Sequence, residues 1–353
     1  MAVRVCVIVN PAAGGGKAGR VANPVAQTLA AHGLEVRAVN AEGTERSRAL
    51  ARQAALGGEI VAVLGGDGMV GLVADAVRDV PDAVLGVLPA GRGNDLARVL
   101  GIPSDPLAAC ATIAHGVARK MDVGEIRPTP SSPTPSGRRT FVGIASVGLD
   151  SDTNRIANEA SPRWGGLVYA YAMLRALPRW RRVRFEIELD PPGARHTITG
   201  YSVAAANSRA YGGGMRLAPH ALLDDGLLDV VAIEHVSRLR LLSNVPRVFL
   251  GAHLGLSWVH VFRARELEIS ADRPFTLYAD GDPVSALPVR VRALAAAVRV
   301  LVPAERTAKR VELIAGAAGA GGPFGAPVPA VAVPQGARAV ERAPAADVPR
   351  PAR

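Results

Sequence analysis

Residues 60–68 read Ile-Val-Ala-Val-Leu-Gly-Gly-Asp-Gly, an unbroken apolar run that ends in three glycines around one aspartate. A strand covered on both faces shows such a run, and coverage of both faces is typical of parallel sheets. In open α/β sheets, ligands bind just beyond the carboxyl ends of the strands, where glycine lets the backbone approach them closely. The stretch therefore predicts a parallel α/β sheet with a ligand-binding loop at residues 65–68.

Alternating strands and helices surround this stretch. Predicted strands cover residues 3–9, 34–39, 60–64 and 83–88, and predicted helices cover residues 19–31, 45–56 and 70–78. Short crossovers between such elements pair the strands in parallel and with a right-handed sense. We therefore predict an α/β fold of two domains, of which the N-terminal one is a doubly wound parallel-sheet nucleotide-binding domain.

After Asp122 the pattern changes to short segments in which apolar and polar residues alternate. They cover residues 140–145, 183–189, 197–205, 228–233, 266–270 and 275–278, and a last apolar strand covers residues 297–302. Alternation predicts a mainly antiparallel, β-sandwich-like second domain, with the active site in the cleft between the domains. We assign residues 1–123, completed by 288–308, to the nucleotide-binding domain and residues 124–287 to a β-rich lipid or substrate domain. Residues 315–353 are rich in Ala, Pro and Gly, which predicts a disordered tail.

Composition narrows the partners without choosing one. The chain has 353 residues, a formal net charge of +10 and 49% hydrophobic residues, so it can bury a large core and favours anionic partners. Nucleic acid is not expected, because no binding module is visible and aromatic residues are few. Cys6 and Cys110 lie in no metal-type spacing, which predicts buried thiols in a reducing compartment. No signal peptide or membrane-spanning run is visible, so we expect a cytoplasmic protein, peripheral at the inner face of the cell membrane. The sequence leaves open whether the protein forms a homodimer.

The first strand leads into a second glycine-rich loop. Gly14, Gly16 and Gly19 satisfy the G-x-G-x-x-G dinucleotide fingerprint, but four residues separate the strand from the first glycine. Ala18 stands where a P-loop needs Ser or Thr. A flexible turn is the plain alternative. We favour a phosphate cradle, because free amides at a helix start attract anions.

Three further turns carry polar residues. Residues 91–95, Gly-Arg-Gly-Asn-Asp, form a third glycine-bearing loop at the same sheet edge. The acidic turns at residues 223–227 and 278–283 have the Asp-Gly pair of an ordinary hairpin, and both a structural and a functional interpretation stay open for them. The glycine-rich residues 207–215 suit close packing near a cleft.

Taken in order, these motifs resemble the diacylglycerol kinase catalytic family, which includes sphingosine kinases and bacterial lipid kinases. The resemblance covers residues 3–303. Its carriers are Asn10-Pro11 with Gly14, the GGDG at 65–68, residues 91–98, Asp122-Val123-Gly124, Asp225-Gly226 and Asp280-Gly281-Asp282. GGDG alone is shared with NAD kinases, whereas the ordered set is specific. The resemblance implies an ATP-dependent lipid kinase that phosphorylates the hydroxyl of diacylglycerol or a similar lipid to give phosphatidic acid, with ATP and Mg²⁺ as cofactors.

The resemblance also implies roles for individual residues. The ATP site would contain Asn10, Pro11, Ala12, Ala13, Gly14, Arg20, Thr44, Gly65, Gly66, Asp67, Gly68, Met69, Val70 and Arg92. Asp122, Asp225 and the Leu227 carbonyl would belong to a magnesium-linked network. Asp282 would be the catalytic base, and Asp67 would act beside the magnesium at the phosphates.

Four positions depart from the family pattern. Met69 replaces a Thr, Gly71-Leu72 replaces Asn-Glu, Arg92 replaces a Thr, and Asp282 replaces a Glu. These changes bear on the lipid substrate and the rate. The alternatives are an NAD kinase-like enzyme with a soluble substrate, a catalytically weak regulator of the same fold, and, from the opening loop alone, a Rossmann dehydrogenase.

The lipid substrate directs attention to residues 163–184. Trp164, Leu167, Val168, Tyr171, Leu174 and Leu177 fall at helical spacing, and Arg179, Trp180, Arg181 and Arg182 follow them. Interfacial helices combine apolar, Trp and basic residues in this way. We favour the alternative of a helix packed on its own domain.

Overall fold

A computed structural model describes residues 2–133, 137–159 and 167–304 of the chain. In the N-terminal part of these residues, strands and helices alternate as predicted. The strands are β1 (Arg4–Val9), β2 (Glu35–Asn40), β3 (Ile60–Gly65) and β4 (Val84–Pro89). The helices are α1 (Ala13–Ala31), α2 (Thr44–Leu56), α3 (Asp67–Val77), α4 (Asp95–Leu100) and α5 (Pro106–His115).

The four strands form a parallel sheet in the spatial order β2-β1-β3-β4. The chain leaves β1 toward β2 on one side and leaves β3 toward β4 on the other side. Because right-handed crossovers in opposite directions place their helices on opposite faces, the sheet is doubly wound. The reversal lies between β1 and β3, and the crevice beyond their carboxyl ends is where such sheets bind ligands.

Two helices begin earlier than predicted. α1 begins at Ala13 rather than at residue 19, and α3 begins at Asp67 rather than at residue 70. In α1 the first residues are not regular helix, because Gly14 to Gly16 have left-handed φ angles of 60°, 66° and 85°; the regular right-handed helix follows from Lys17, close to the prediction. In α3 the aspartate occupies the first turn, where a negative charge favours the helix dipole. The predicted GGDG loop is therefore partly a helix start.

The C-terminal part is mainly antiparallel, as predicted. Its strands are β5 (Val117–Pro128), β6 (Arg139–Phe141), β7 (Ile144–Gly148), β8 (Val183–Leu189), β9 (Arg195–Ala206), β10 (Leu228–Glu234), β11 (Val259–Ala264), β12 (Glu266–Ala271), β13 (Thr276–Ala279), β14 (Asp282–Ala286) and β15 (Val289–Val302). Its helices are α6 (Leu149–Glu159), α7 (Leu167–Ala176) and α8 (Arg238–Leu250). β13, β7, β9, β8 and β12 lie side by side, and β10 joins β9 to β11.

The long strand β15 connects the two parts. Its first half pairs with β12 and with the end of β5, whereas its second half pairs with the start of β5 and, in parallel, with β4. The register shifts between the halves, around Ala296 with a φ of 50°. The predicted strand at 297–302 is thus only the second half of β15, and β5 runs through the domain boundary predicted at residue 123.

The predicted interfacial segment is divided between buried and exposed residues: Leu174, Arg179, Arg181 and Arg182 are exposed, so both interpretations of it stay predictions. Val168, Leu177 and Trp180 are buried, and the Trp180 indole donates a hydrogen bond to the carbonyl of Gly200. Trp164, the Leu167 side chain and the predicted tail at 315–353 lie outside the described residues.

Both cysteines are buried free thiols, as predicted, and burial raises the pKa of each to about 11. Within the described ranges, the helices are all too short or too polar to cross a bilayer.

Candidate active site

The three glycine loops meet at the carboxyl edge of the parallel sheet. A Cβ on Gly14 would lie 2.3 Å from the carbonyl oxygen of Ala90, so the loop after β1 touches the end of β4. A Cβ on Gly91 would lie 2.5 Å from the Cα of Gly66, so the loops after β3 and β4 touch backbone to backbone. Only glycine allows such contacts, and the convergence expected from the shared sheet edge is present.

The Asp67 carboxylate connects two of these loops. It accepts hydrogen bonds from the backbone N–H groups of Asp95 at 3.0 Å and Leu96 at 3.1 Å, at the start of α4. Asp95 in turn accepts a hydrogen bond from the N–H of Gly213 at 2.9 Å, in the glycine-rich stretch of the second domain. Burial, and secondarily the charge of Asp95, raise the pKa of Asp67. The chain of contacts fixes one rim of the cleft.

The acidic turn at residues 278–283 is a hairpin and also enters the cleft. Asp280 and Gly281 have φ angles of 50° and 90°, which matches the two positive values of a type I′ turn between β13 and β14. The Asp280 carboxylate accepts hydrogen bonds from the N–H groups of Val142 and Gly143, both at 2.8 Å. Burial raises the pKa of Asp280 to about 8, and these hydrogen bonds oppose the rise.

This turn places Asp282 against the GGDG loop. A Cβ on Gly68 would lie 2.5 Å from Oδ2 of Asp282, so the carboxylate rests on the glycine's backbone. Partial burial raises the pKa of Asp282, and the charge of Arg139 opposes the rise. A carboxylate with a raised pKa, held against a loop built of bare backbone, is suited to receive a proton beside a bound phosphate.

Two adjoining cavities, of about 240 and 550 Å³, occupy the cleft around this contact. The smaller is lined by the predicted residues Asn10, Ala13, Gly14, Gly66, Asp67, Gly68, Met69, Arg92 and Asp282. The larger is lined by the predicted residues Asn10, Pro11, Ala12, Thr44, Gly68, Met69 and Asp282. Three predicted residues line neither cavity: Gly65 and Val70 are buried, and Arg20 donates a hydrogen bond to the carbonyl of Gly15. Their assignment to the ATP site stays a prediction.

The predicted magnesium network lies apart from both cavities, around the turn at Gly226. The two oxygens of Asp122 accept hydrogen bonds from the N–H groups of Gly226 and Ala296, each at 2.6 Å. Asp225 forms an ion pair with Arg263 and accepts a hydrogen bond from the N–H of Leu227. In the described ranges, no three His, Cys, Asp or Glu side chains converge as a metal site. The magnesium role of Asp122, Asp225 and Leu227 stays a prediction.

Sequence reasoning missed the cleft residues of α6, whereas the stretch 207–215, predicted to pack near a cleft, contributes Tyr211 and Gly212 to the smaller cavity. Asn154 and Asn158 of α6 line the smaller cavity, and the Asn158 amide donates a hydrogen bond to the carbonyl of Gly281 at 2.9 Å. Arg92 donates a hydrogen bond to the carbonyl of Ala157 at 3.4 Å. The hydrophilic face of α6 carries no motif, so only the three-dimensional contact with the 278–283 turn reveals these residues.

A third cavity, of about 580 Å³, adjoins the cleft between α6, α7 and α8. It shares Asn154, Tyr211 and Gly212 with the smaller cleft cavity. Its other walls are mainly apolar and include Met173, Leu174, Met215, Leu242, Val245, Pro246 and Phe249. Asp150 is the charged residue among its lining residues; burial raises the pKa of this carboxyl to about 6, against the effect of the Ser202 and Tyr211 hydroxyls.

Comparison with known proteins agrees with this geometry. Residues 4–126 match the family model for the diacylglycerol kinase catalytic domain, and residues 143–302 match that for the YegS C-terminal NAD kinase beta sandwich-like domain. A diacylglycerol kinase of Mycobacterium tuberculosis is 35% identical over 306 residues, which is 85% of this chain and 95% of the relative. A YegS-like lipid kinase of Xanthomonas oryzae is 31% identical over 285 residues, 76% of this chain and 87% of that protein.

A solved structure shows the same fold. The crystal structure of a diacylglycerol kinase from Bacillus anthracis superposes with a TM-score of 0.62 at 17% identity, and the match covers 86% of this chain and 97% of that one. The family implies phosphotransfer and the use of ATP. From its two domain matches and its full-length relatives, the chain belongs to the diacylglycerol kinase catalytic family of lipid kinases.

Proposed function

We propose that this protein transfers the γ-phosphoryl group of ATP to the hydroxyl of diacylglycerol or a similar lipid, giving phosphatidic acid. The observation that carries the acceptor class is the apolar cavity of about 580 Å³, which opens into the glycine-lined cleft through Asn154, Tyr211 and Gly212. An acyl chain fits an apolar cavity, whereas a soluble nucleotide acceptor gains nothing from one.

The glycine loops suit the phosphates of ATP. Phosphates are bound where backbone N–H groups at helix starts are not covered by side chains, and α1 and α3 both begin at the cleft. A Cβ at Gly66 or Gly68 would meet Gly91 or Asp282, so the protein leaves this space to the bare backbone. ATP supplies the phosphoryl group; Thr44 and Pro11, in the larger cavity, would contact the rest of the nucleotide.

Magnesium would accompany ATP at the same place. Mg²⁺ is usually held by one or two carboxylates together with substrate phosphates, and it keeps several waters. Asp67 fits this role, because each of its oxygens accepts one backbone N–H and a carboxylate offers about four acceptor sites. Its raised pKa also indicates a site that a cation would stabilise.

Asp282 would accept the proton of the lipid hydroxyl. An alcohol is a far weaker acid than a carboxylic acid, so proton transfer comes late, and the raised pKa of Asp282 reduces the mismatch. We expect Asp282→Asn to lower kcat about 10²–10⁴-fold while the protein still folds. Near-normal turnover of the folded variant would show that another group is the base.

The acceptor is tested with purified protein, labelled ATP and Mg²⁺. The panel contains diacylglycerol in mixed micelles, a sphingoid base, NAD and no acceptor. We expect label in phosphatidic acid, and Asp282→Asn is the matched inactive control. Label on NAD alone would support the soluble-substrate alternative, and label on no acceptor would support a regulator; either result overturns the proposal.

The apolar cavity is tested separately. Val245→Phe narrows the cavity without touching the glycine loops. We expect a higher KM for long-chain diacylglycerol and an unchanged affinity for ATP, measured by nucleotide titration. An unchanged KM for every chain length would show that the acyl chain lies elsewhere.

A further inference from the structure

The side chain of the proposed base has no polar partner that fixes its position. Within the described ranges, the Asp282 carboxylate forms neither a hydrogen bond nor an ion pair, and Arg139 acts on it only through its charge. A catalytic side chain is effective only when its position is fixed to within about 0.5 Å. The position of Asp282 therefore depends on the backbone that carries it, which is the turn at residues 278–283.

The two central residues of this turn are both held from outside the hairpin. Asp280 is not glycine and has a φ of 50°, and its carboxylate is bound by the N–H groups of Val142 and Gly143. Gly281 has a φ of 90°, and its carbonyl accepts the hydrogen bond of 2.9 Å from the Asn158 amide. Gly281 directly precedes the base, so this hydrogen bond acts on the backbone next to Asp282.

The helix that supplies the Asn158 amide is itself fixed to the same hairpin. Near the start of α6, the Ser151 hydroxyl donates a hydrogen bond of 2.7 Å to the carbonyl of Thr276, at the first residue of β13. Near the end of α6, Asn158 binds Gly281, just beyond the last residue of β13. α6 is thus attached to both ends of this strand, and the amide reaches the turn from a fixed helix.

We propose that Asn158 is a positioning residue, whose amide fixes Gly281 and thereby holds Asp282 against Gly68 in the orientation that receives the proton. The catalytic consequence rests on the proposed function, in which Asp282 is the base, whereas the hold on the turn needs neither ATP nor an acceptor. One helix turn earlier, Asn154 lines both the smaller cleft cavity and the apolar cavity. The wall of the acceptor site and the support of the base therefore belong to one helix.

Steady-state kinetics of Asn158 variants on diacylglycerol in mixed micelles test the proposal. One hydrogen bond favours a conformation by about 2- to 10-fold, so Asn158→Ala should lower kcat by about this factor. KM for the lipid and the affinity for ATP should stay unchanged, because the turn, not the substrate, is released. Asn158→Gln keeps the donor and should recover part of kcat, whereas Asn158→Asp keeps the shape without the donor and should not. An unchanged kcat, or a loss confined to KM, would overturn the proposal.

A control variant and a double variant separate positioning from direct contact with substrate. Asn244 of α8 also donates its amide to a backbone carbonyl, that of Arg240 at 2.8 Å, and lines none of the three cavities. We expect Asn244→Ala to keep the kcat of the wild type. In an Asp282→Ala background, Asn158→Ala should cause no further loss. Losses that multiply would show that Asn158 acts on the substrate from the smaller cavity, and would overturn the positioning role.

Hydrogen exchange separates this inference from the proposed function. Without ATP or lipid, the amides of residues 279–283 should exchange about 2- to 10-fold faster in Asn158→Ala and at the wild-type rate in Asn244→Ala. If exchange in the turn rises but the wild type phosphorylates no lipid, the hold of Asn158 on the turn stands and the lipid kinase proposal fails. If the wild type phosphorylates lipid but Asn158→Ala keeps its kcat and its exchange rates, the kinase proposal stands and the positioning role fails.

Discussion

The contact between Gly68 and Asp282 can be tested by adding a single methyl group. Gly68 lies in the first turn of α3 and has no positive φ, so alanine is compatible with its backbone. The added Cβ would lie 2.5 Å from Oδ2 of Asp282, where ordinary contact begins at 3.4 Å. The carboxylate must therefore withdraw by about 1 Å, and it can do so because it is the free end of a side chain.

The expected result is a loss of activity without a loss of stability. A displacement of about 1 Å in a catalytic group lowers the rate by about 10²-fold, so we expect a reduction of that size in kcat for Gly68→Ala. Alanine is favoured over glycine inside helices by about 0.5–1 kcal/mol, so the free energy of unfolding should stay the same or rise. Steady-state phosphorylation and urea denaturation measure the two quantities.

A double variant decides whether the loss acts through Asp282. In an Asp282→Ala background the colliding oxygen is absent, so Gly68→Ala should cause no further loss of activity. Gly255→Ala is the control, because a Cβ there meets nothing within 4 Å. Full activity of Gly68→Ala, or independent losses that multiply in the double variant, would refute the placement of Asp282 against the GGDG loop.

Three carboxylates give further predictions on stability. The pKa of Asp280 is about 8 in the folded protein. Between about pH 4 and this pKa, the folded protein therefore holds a proton that the unfolded chain has lost, and the free energy of unfolding should fall as the pH rises. Asp280→Asn should flatten this slope when urea denaturation is measured from about pH 5 to 8. Burial alone would raise the pKa of Glu125, but hydrogen bonds and charges from Arg127 and Arg292 lower it. The resulting stability is present near neutral pH and is lost as the pH falls through the lowered pKa. Glu125→Gln should lower the free energy of unfolding by about 3 kcal/mol at pH 7, measured by thermal and urea unfolding. Asp67→Asn turns one of the two oxygens that accept hydrogen bonds at the start of α4 into a donor, so the free energy of unfolding should fall by about 1–3 kcal/mol in the same measurements. An unchanged free energy of unfolding would show that the two hydrogen bonds do not form.

The parallel part of the fold was predictable because its strands are covered on both faces. A strand such as β3 must then be apolar throughout, and glycines mark its ends. Both the apolar run and the glycines that bound it are visible in the sequence. β15 was only half predicted for the opposite reason. Its first half carries alternating Arg and Val, its middle shifts register at Ala296, and the partners that hold it are far away in sequence.

The candidate site was likewise predictable from the sequence only in part. Local sequence identified the glycine loops, because close backbone approach leaves no alternative residue. It did not decide whether the Asp-Gly pair at residues 280–281 was a plain hairpin or a functional turn. The structure shows that the two interpretations are compatible: the type I′ turn is what directs Asp282 onto Gly68. The contact of Asn158 with the turn depends on tertiary packing and has no local signature.

The positions of the charged residues show more about possible partners than the net charge does. A balance of +10 indicates an anionic partner, and nucleotide phosphates and lipid headgroups satisfy it equally. Around the two cleft cavities, however, three arginines face five acidic residues, so the lining has no excess of positive charge; these residues are Arg48, Arg92 and Arg139, and Glu42, Asp67, Asp95, Asp280 and Asp282. The positive excess lies elsewhere in the chain: residues 167–184 and 236–252, for example, contain eight arginines and no Asp, Glu or Lys. Backbone amides at helix starts attract anions without side-chain charge, so a nucleotide in this cleft would not by itself account for the basic balance of the chain.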